Sequence, residues 1–108
     1  MIVALAGQKG GAGKSTLAVC LAVEALERGE RVLLVDADPQ GTARTWVEVA
    51  AEGGQTVPTS ITMGASMHRD GQLGALAAGF ALTLIDCPPR HGEIQRAALM
   101  VADRVLIP

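Results

Sequence analysis

One segment, Gly7-Gln8-Lys9-Gly10-Gly11-Ala12-Gly13-Lys14-Ser15-Thr16, constrains this chain more than any other because of what stands on either side of it. Before it, Ile2 to Ala6 is an uninterrupted apolar run closed by glycine, the pattern of a strand buried on both faces. After it, Ser15 to Arg28 reads as a helix, with Leu17, Val19, Leu21, Val23 and Leu26 apolar and Glu24, Glu27 and Arg28 polar. Gly29 follows where a helix C-cap belongs. A strand that enters a glycine-rich loop and leaves it as a helix is the start of a parallel α/β unit. Glycines let such a loop curl until its N–H groups point inward, and the helix N-terminus adds partial positive charge, so the turn suits a phosphate.

The rest of the chain keeps the alternation. Arg31 to Val35 predicts a second buried strand, Thr42 a cap on a helix running to about Glu52, and Gly53-Gly54 a break. Gln55 to Asp70 carries little pattern, with a strand expected only over Ser60 to Met63. Gln72 to Ala78 predicts a short helix ended by Gly79, Ala81 to Ile85 a strand, Glu93 to Ala102 a helix and Val105 to Ile107 a last strand. The expected architecture is one α/β unit over residues 1–108, a mostly parallel sheet with flanking helices and right-handed crossovers. Ligands bind such sheets at the carboxyl ends of the strands, and Gly7, Asp36 and Asp86 all fall there.

Composition narrows the function classes. The 108 residues are 49% hydrophobic and 19% charged, a globular balance, but with one Trp, one Phe and no Tyr the core is Ala-, Leu- and Val-rich and thin. Net charge is −2 with no Lys/Arg block, so no electrostatic footprint for nucleic acid or an anionic membrane is present. No apolar run approaches the roughly 18 residues of a bilayer span, and the N-terminus reads as a strand rather than a leader. Cys20 and Cys87 form no CxxC pair and read as free thiols in a reducing cytoplasm. His68 and His91 lack metal-ligand spacing, Trp46 reads as packing on the second helix, and Glu93, Arg96 and Arg104 read as solvated charges.

The loop itself departs from GxxxxGK[ST]: Gln8 stands where the first glycine is required, and the segment Lys9-Gly10-Gly11-Ala12-Gly13-Lys14-Ser15 fits KGGxGK[ST] instead. A chance match to that form in a chain of this length has odds of order 10⁻⁵, roughly, from average composition. In such a loop Lys14 reaches the β- and γ-phosphates and the Ser15 hydroxyl binds Mg²⁺. A second cation at Lys9 helps neutralise a triphosphate if it reaches it; otherwise it is an exposed loop lysine.

Ala6 to Thr16 resembles the opening of the ParA/MinD family of deviant Walker A P-loop ATPases. The resemblance implies ATP and Mg²⁺ as ligands, with Lys9, Gly10, Gly11, Ala12, Gly13, Lys14, Ser15 and Thr16 around the phosphates. It implies that Lys9 crosses an ATP-dependent homodimer to the nucleotide of the other subunit. Val35-Asp36-Ala37-Asp38-Pro39-Gln40-Gly41 resembles the family's first switch: Asp38 holds the attacking water or a metal-bound water, and Asp36 supports the Mg²⁺ site. Read without the resemblance, both are also ordinary turn or cap residues before a helix. Leu82 to Pro89 resembles a Walker B element, with Asp86 holding a Mg²⁺-bound water. Arg90 and His91 stand where many relatives have glycine, and Arg90 reads as a solvated loop residue.

The resemblance covers the whole chain but only the first half of the family's fold, so the chain reads as truncated after the strand that follows Walker B. It implies, for a complete protein, ATP hydrolysis by Lys9, Lys14 and Asp38 in a nucleotide-sandwich dimer that partitions plasmids or chromosomes with a partner partition protein. DNA would be reached only through a region this chain lacks, and the residues that contact adenine would also lie there. The Asp-Pro-Gln-Gly switch and the Trp46 helix favour a ParA-like over a MinD-like positioning role. The competing expectation is a truncated, non-catalytic module that pairs with a full-length relative. The absence of tyrosine argues against a self-phosphorylating tyrosine kinase of this class, and two unpaired cysteines argue against an iron–sulfur member.

Overall fold

A computed structural model describes residues 1–7, 12–89 and 92–108, with Ala12 described by its backbone alone. Among these, five strands and four helices alternate: β1 (Ile2–Leu5), α1 (Ala12–Glu27), β2 (Val32–Asp36), α2 (Thr42–Glu52), β3 (Thr59–Thr62), α3 (Leu73–Ala77), β4 (Leu82–Asp86), α4 (Gly92–Val101) and β5 (Arg104–Leu106). The strands form one sheet in the order β3-β2-β4-β1-β5, and every neighbouring pair is parallel. This is the expected α/β architecture.

The sheet's pleat sorts its side chains between two cores. Leu33, Val35, Ala4 and Ile85 point to one face, where they pack with Met67, Leu73, Ala77, Ala97 and Ala98 from the α3 and α4 side. Val3, Leu5, Val32, Leu34 and Leu84 point to the other, against Ala18, Val19, Ala22 and Ala25 of α1 and Ala43 and Val47 of α2. Alanines at the α1 contact let that helix lie close to the sheet at the cost of buried area per residue. The central strands β2 and β4 are buried along nearly their whole length, which is why they read as unbroken apolar runs. The edge strands differ: β3 is at most half-buried, which accounts for its faint sequence pattern, and all three residues of β5 are exposed.

Local signals placed most boundaries within a residue or two. α1 ends as expected at Gly29, whose φ of 85° suits glycine, with Gly29 N–H donating to Leu26 O and Glu30 N–H to Ala25 O. Its start lies further upstream than Ser15, so Gly13 to Thr16 sit inside its first turns. Thr42 is not the cap of α2. Gly41, at φ 68°, takes the N-cap position, and Thr42 is the first helical residue. A side chain at position 41 would also meet the Arg44 guanidinium, whose Nη2 lies 2.9 Å from where a Cβ would stand. The capping acceptor comes instead from β2, as described below.

Candidate phosphate-binding site

Strand order builds the site. β4 lies between β1 and β2, so the chain that enters the glycine-rich loop and the chain that ends in Asp36 both flank Asp86. The register is level: Leu5 pairs with Asp86, and Asp86 pairs with Asp36. The two carboxylates therefore share the carboxyl edge of the sheet, on adjacent strands that lie roughly 4.8 Å apart in such sheets. The first turns of α1 bring Lys14 and Ser15 to the same edge, and both are buried.

Within this corner the polar groups are incompletely matched. Ser15 Oγ donates to Asp86 Oδ2 at 2.6 Å, a short bond of the kind a carboxylate makes with a hydroxyl. Among the described residues, the other oxygen, Asp86 Oδ1, is buried without a hydrogen-bond partner, and so is Lys14 Nζ. Buried charged atoms are normally satisfied, so two orphans of opposite sign in one corner mark a place built for something else. Burial pushes the Asp86 carboxyl above its ordinary value; the Ser15 bond pulls it down, Asp36 raises it, the Lys14 charge lowers it and Asp38 raises it. A divalent cation would reverse that balance. The donor set fits a hard cation: with its proton spent on Asp86, the Ser15 oxygen keeps its lone pairs, and Asp86 Oδ1 remains an acceptor. Lys14 fits an anion beside it.

Asp36 is engaged differently. Its Oδ1 accepts from Asp38 N–H at 3.1 Å and its Oδ2 from Arg44 N–H at 2.8 Å. It thus supplies the carboxylate cap that α2 lacks at Gly41, close to the helix's positive end, and at the same time fixes the turn that carries Asp38. Asp38 is half-buried; its Oδ1 accepts from Gln40 N–H at 2.9 Å, and its carbonyl accepts from Gly41 N–H at 2.9 Å. Asp36, Asp38 and Asp86 do not gather into a three-carboxylate cluster able to hold an ion, and no other His, Cys, Asp or Glu cluster does so among the described residues. A cavity of about 390 Å³ is lined by Asp36, Asp38 and Arg44 together with Thr62, Gly64 and Ile94. A smaller apolar one, about 100 Å³, lies between α1 and α2 beside Ser15 and Thr16, lined by Cys20 and Trp46.

Of the loop residues expected at the phosphates, Gly13, Lys14, Ser15 and Thr16 lie in the first turns of α1, and Ala12 is its first residue. Lys9, Gly10 and Gly11 lie outside the described residues, as do Arg90 and His91. Cys87 is fully buried, and burial pushes its thiol up to about 12, lowered by Lys14 and raised by Asp86, so it serves as a small apolar core residue. Sequence reading missed Gln95, whose Nε2 donates to both Gly7 O and Pro88 O. No local pattern marks it, because its partners are brought together only by the fold.

Comparison with known proteins adds to this geometry. Residues 3–103 match the CbiA family, the CobQ/CobB/MinD/ParA nucleotide binding domain. The chain is 36% identical to the chromosome-partitioning ATPase Soj of Thermus thermophilus in an alignment of 132 residues that takes in 98% of this chain and 53% of Soj. It is 40% identical to the maintenance of carboxysome distribution protein A of Gloeobacter kilaueensis over 111 residues, 99% of this chain and 48% of that protein. Among solved structures, cobyrinic acid a,c-diamide synthase from Mycobacterium smegmatis with bound ADP and magnesium superposes with a TM-score of 0.78 at 26% identity, covering 99% of this chain and 58% of the synthase. A plasmid partition protein from Borrelia burgdorferi shares the fold, with a TM-score of 0.77 at 23% identity over 99% of this chain and 64% of its own. The chain spans about half the length of the curated relatives it matches.

Proposed function

Because the chain belongs to the CobQ/CobB/MinD/ParA nucleotide-binding family, with ParA-type partition ATPases among its relatives, we propose that it binds Mg-ATP at the corner formed by α1, β2 and β4. The observation that carries this reading is the pair of buried charged atoms without a partner among the described residues, Lys14 Nζ and Asp86 Oδ1, at the site where Ser15 hydrogen-bonds Asp86. Lys14 binds the β- and γ-phosphate oxygens, and the N–H groups of Gly13 to Thr16 at the start of α1 add donors to the same anion. Ser15 and Asp86 would hold the Mg²⁺, and Asp36 acts on this site by fixing the switch. Bound Mg²⁺ supplies charge neutralisation for the phosphate oxygens. Asp38, on a turn pinned by Asp36, orients the attacking water, and Lys9 neutralises triphosphate charge across an ATP-dependent dimer.

In a protein of the relatives' full length, this site hydrolyses ATP to position a large cargo, plasmid or chromosomal DNA or another assembly, with a partner protein. The solved neighbour with ADP and magnesium supports the ligand pair, and the names of the Thermus and Gloeobacter relatives support the positioning role. Among the described residues no helix is long and apolar enough to cross a membrane, and the unpaired cysteines suit a reducing cytoplasm, where we place the chain.

The test is titration of a fluorescent ATP analogue with and without Mg²⁺, repeated on Ser15→Ala. The parent should bind more tightly with Mg²⁺, and the variant should lose most of that difference while retaining metal-free binding. Binding that ignores Mg²⁺ in both proteins refutes the metal assignment, and absence of binding refutes the nucleotide reading.

A further inference from the structure

Two chain segments frame the proposed site and part company just beyond it. The backbone ladder between β1 and β4 ends where Cys87 N–H donates to Leu5 O at 3.1 Å. Past that rung, one chain enters the glycine-rich loop at Gly7 and the other leaves the Walker B strand through Pro88. Among the described residues, the next tie between them is a side chain. Gln95, half-buried in the first turn of α4, donates from Nε2 to Gly7 O at 3.1 Å and to Pro88 O at 2.5 Å. Both partners are carbonyls, which only accept, so the NH₂ end of the amide must face them and both of its hydrogens are committed.

The anchor behind this donor is firm. Ala97 and Ala98 of α4 are buried in the core with Ala4 and Ile85, and Ile94 packs against the same cluster. A single NH₂ group shared by two loops cannot follow both if they separate, because hydrogen bonds weaken steeply with lost distance and alignment. The positions of Gly7 and of the start of α4 are thereby made interdependent.

We propose that Gln95 is a positioning residue that couples the glycine-rich loop to the segment after Asp86, so that phosphate on the loop is felt at the start of α4. This inference rests on the nucleotide reading above, and it assigns that site a route to a second surface. A network of this kind qualifies as coupling only if one end responds to a ligand bound at the other.

Amide hydrogen exchange read by mass spectrometry, with and without Mg²⁺ and a non-hydrolysable ATP analogue, tests it on the whole chain. In the parent, nucleotide should slow exchange both in residues 9–16 and in residues 90–97. In Gln95→Met, which keeps the length but donates nothing, protection of residues 9–16 should persist while that of residues 90–97 falls by about tenfold, the scale of losing one intramolecular hydrogen bond. Gln95→Asn keeps the amide one methylene short of both carbonyls and should behave alike. Equal protection of both segments in the variants overturns the coupling and leaves the nucleotide reading standing. Loss of protection at both segments, with a lowered melting temperature in both variants, assigns Gln95 to the fold alone and also overturns it. No protection of residues 9–16 in the parent removes the nucleotide reading and the coupling together.

Discussion

Replacing Lys14 by methionine should move stability and binding in opposite directions. The residue is 7% exposed, and its Nζ has no hydrogen-bond partner among the described residues. A buried polar group left unsatisfied costs about 1–3 kcal/mol on the scale of protein mutants. Part of that cost is offset by attraction to Asp86, whose carboxyl the Lys14 charge pulls down, which leaves a net penalty of about 1–2 kcal/mol. Methionine has a similar length and no charge, so the ligand-free chain should gain that amount. With an unfolding entropy of about 0.2 kcal/mol/K for a chain this long, the melting temperature should rise by roughly 4–9 °C. Nucleotide affinity should fall, because hydrogen bonds to charged groups contribute about 1.5–3 kcal/mol, a tenfold to hundredfold loss for one such bond. Thermal unfolding followed by circular dichroism and titration with a fluorescent ATP analogue measure the two effects. A variant that melts lower than the parent and binds nucleotide as well would refute the argument, since Lys14 would then be a satisfied structural residue.

Other substitutions probe the remaining groups. Asp86→Asn should melt higher than the parent at neutral pH without ligand. The folded-state carboxyl titrates above its ordinary 3.8, so the parent's stability falls as pH rises from that value through the raised one. The advantage of the variant should therefore vanish near pH 4 and grow above it, and a pH series of melting curves shows whether it does. Asp36→Ala strands the N–H groups of Asp38 and Arg44 and uncaps α2, so chemical denaturation should report a loss of about 1–3 kcal/mol. Asp38→Ala should leave nucleotide binding nearly unchanged and abolish hydrolysis in a protein completed to the relatives' length; phosphate release at the parent rate would return Asp38 to a turn residue.

The sequence by itself determined the alternation of elements, because buried parallel strands must be apolar runs and the helices between them must carry an apolar stripe. It also carried the glycine-rich segment with Lys14 and Ser15 on which the proposed phosphate site rests, since that motif is written in one short stretch. It left β3 faint, since an edge strand at most half-buried needs no strong pattern, and it misplaced the cap of α2, since Thr42 looks like a cap to any local rule. The tertiary structure decided what depends on strand order. Only the insertion of β4 between β1 and β2 sets Asp86 against Ser15, across 71 positions of chain, and beside Asp36. The same packing brings Gln95 to the carbonyl of Gly7, 88 positions away, whereas Asp36 holds the backbone of Asp38 and Arg44 within its own turn, the cap role its place before a helix already allowed. A hydrogen bond needs its partners within about 3 Å, and distance along the chain says nothing about which residues the sheet will bring that close.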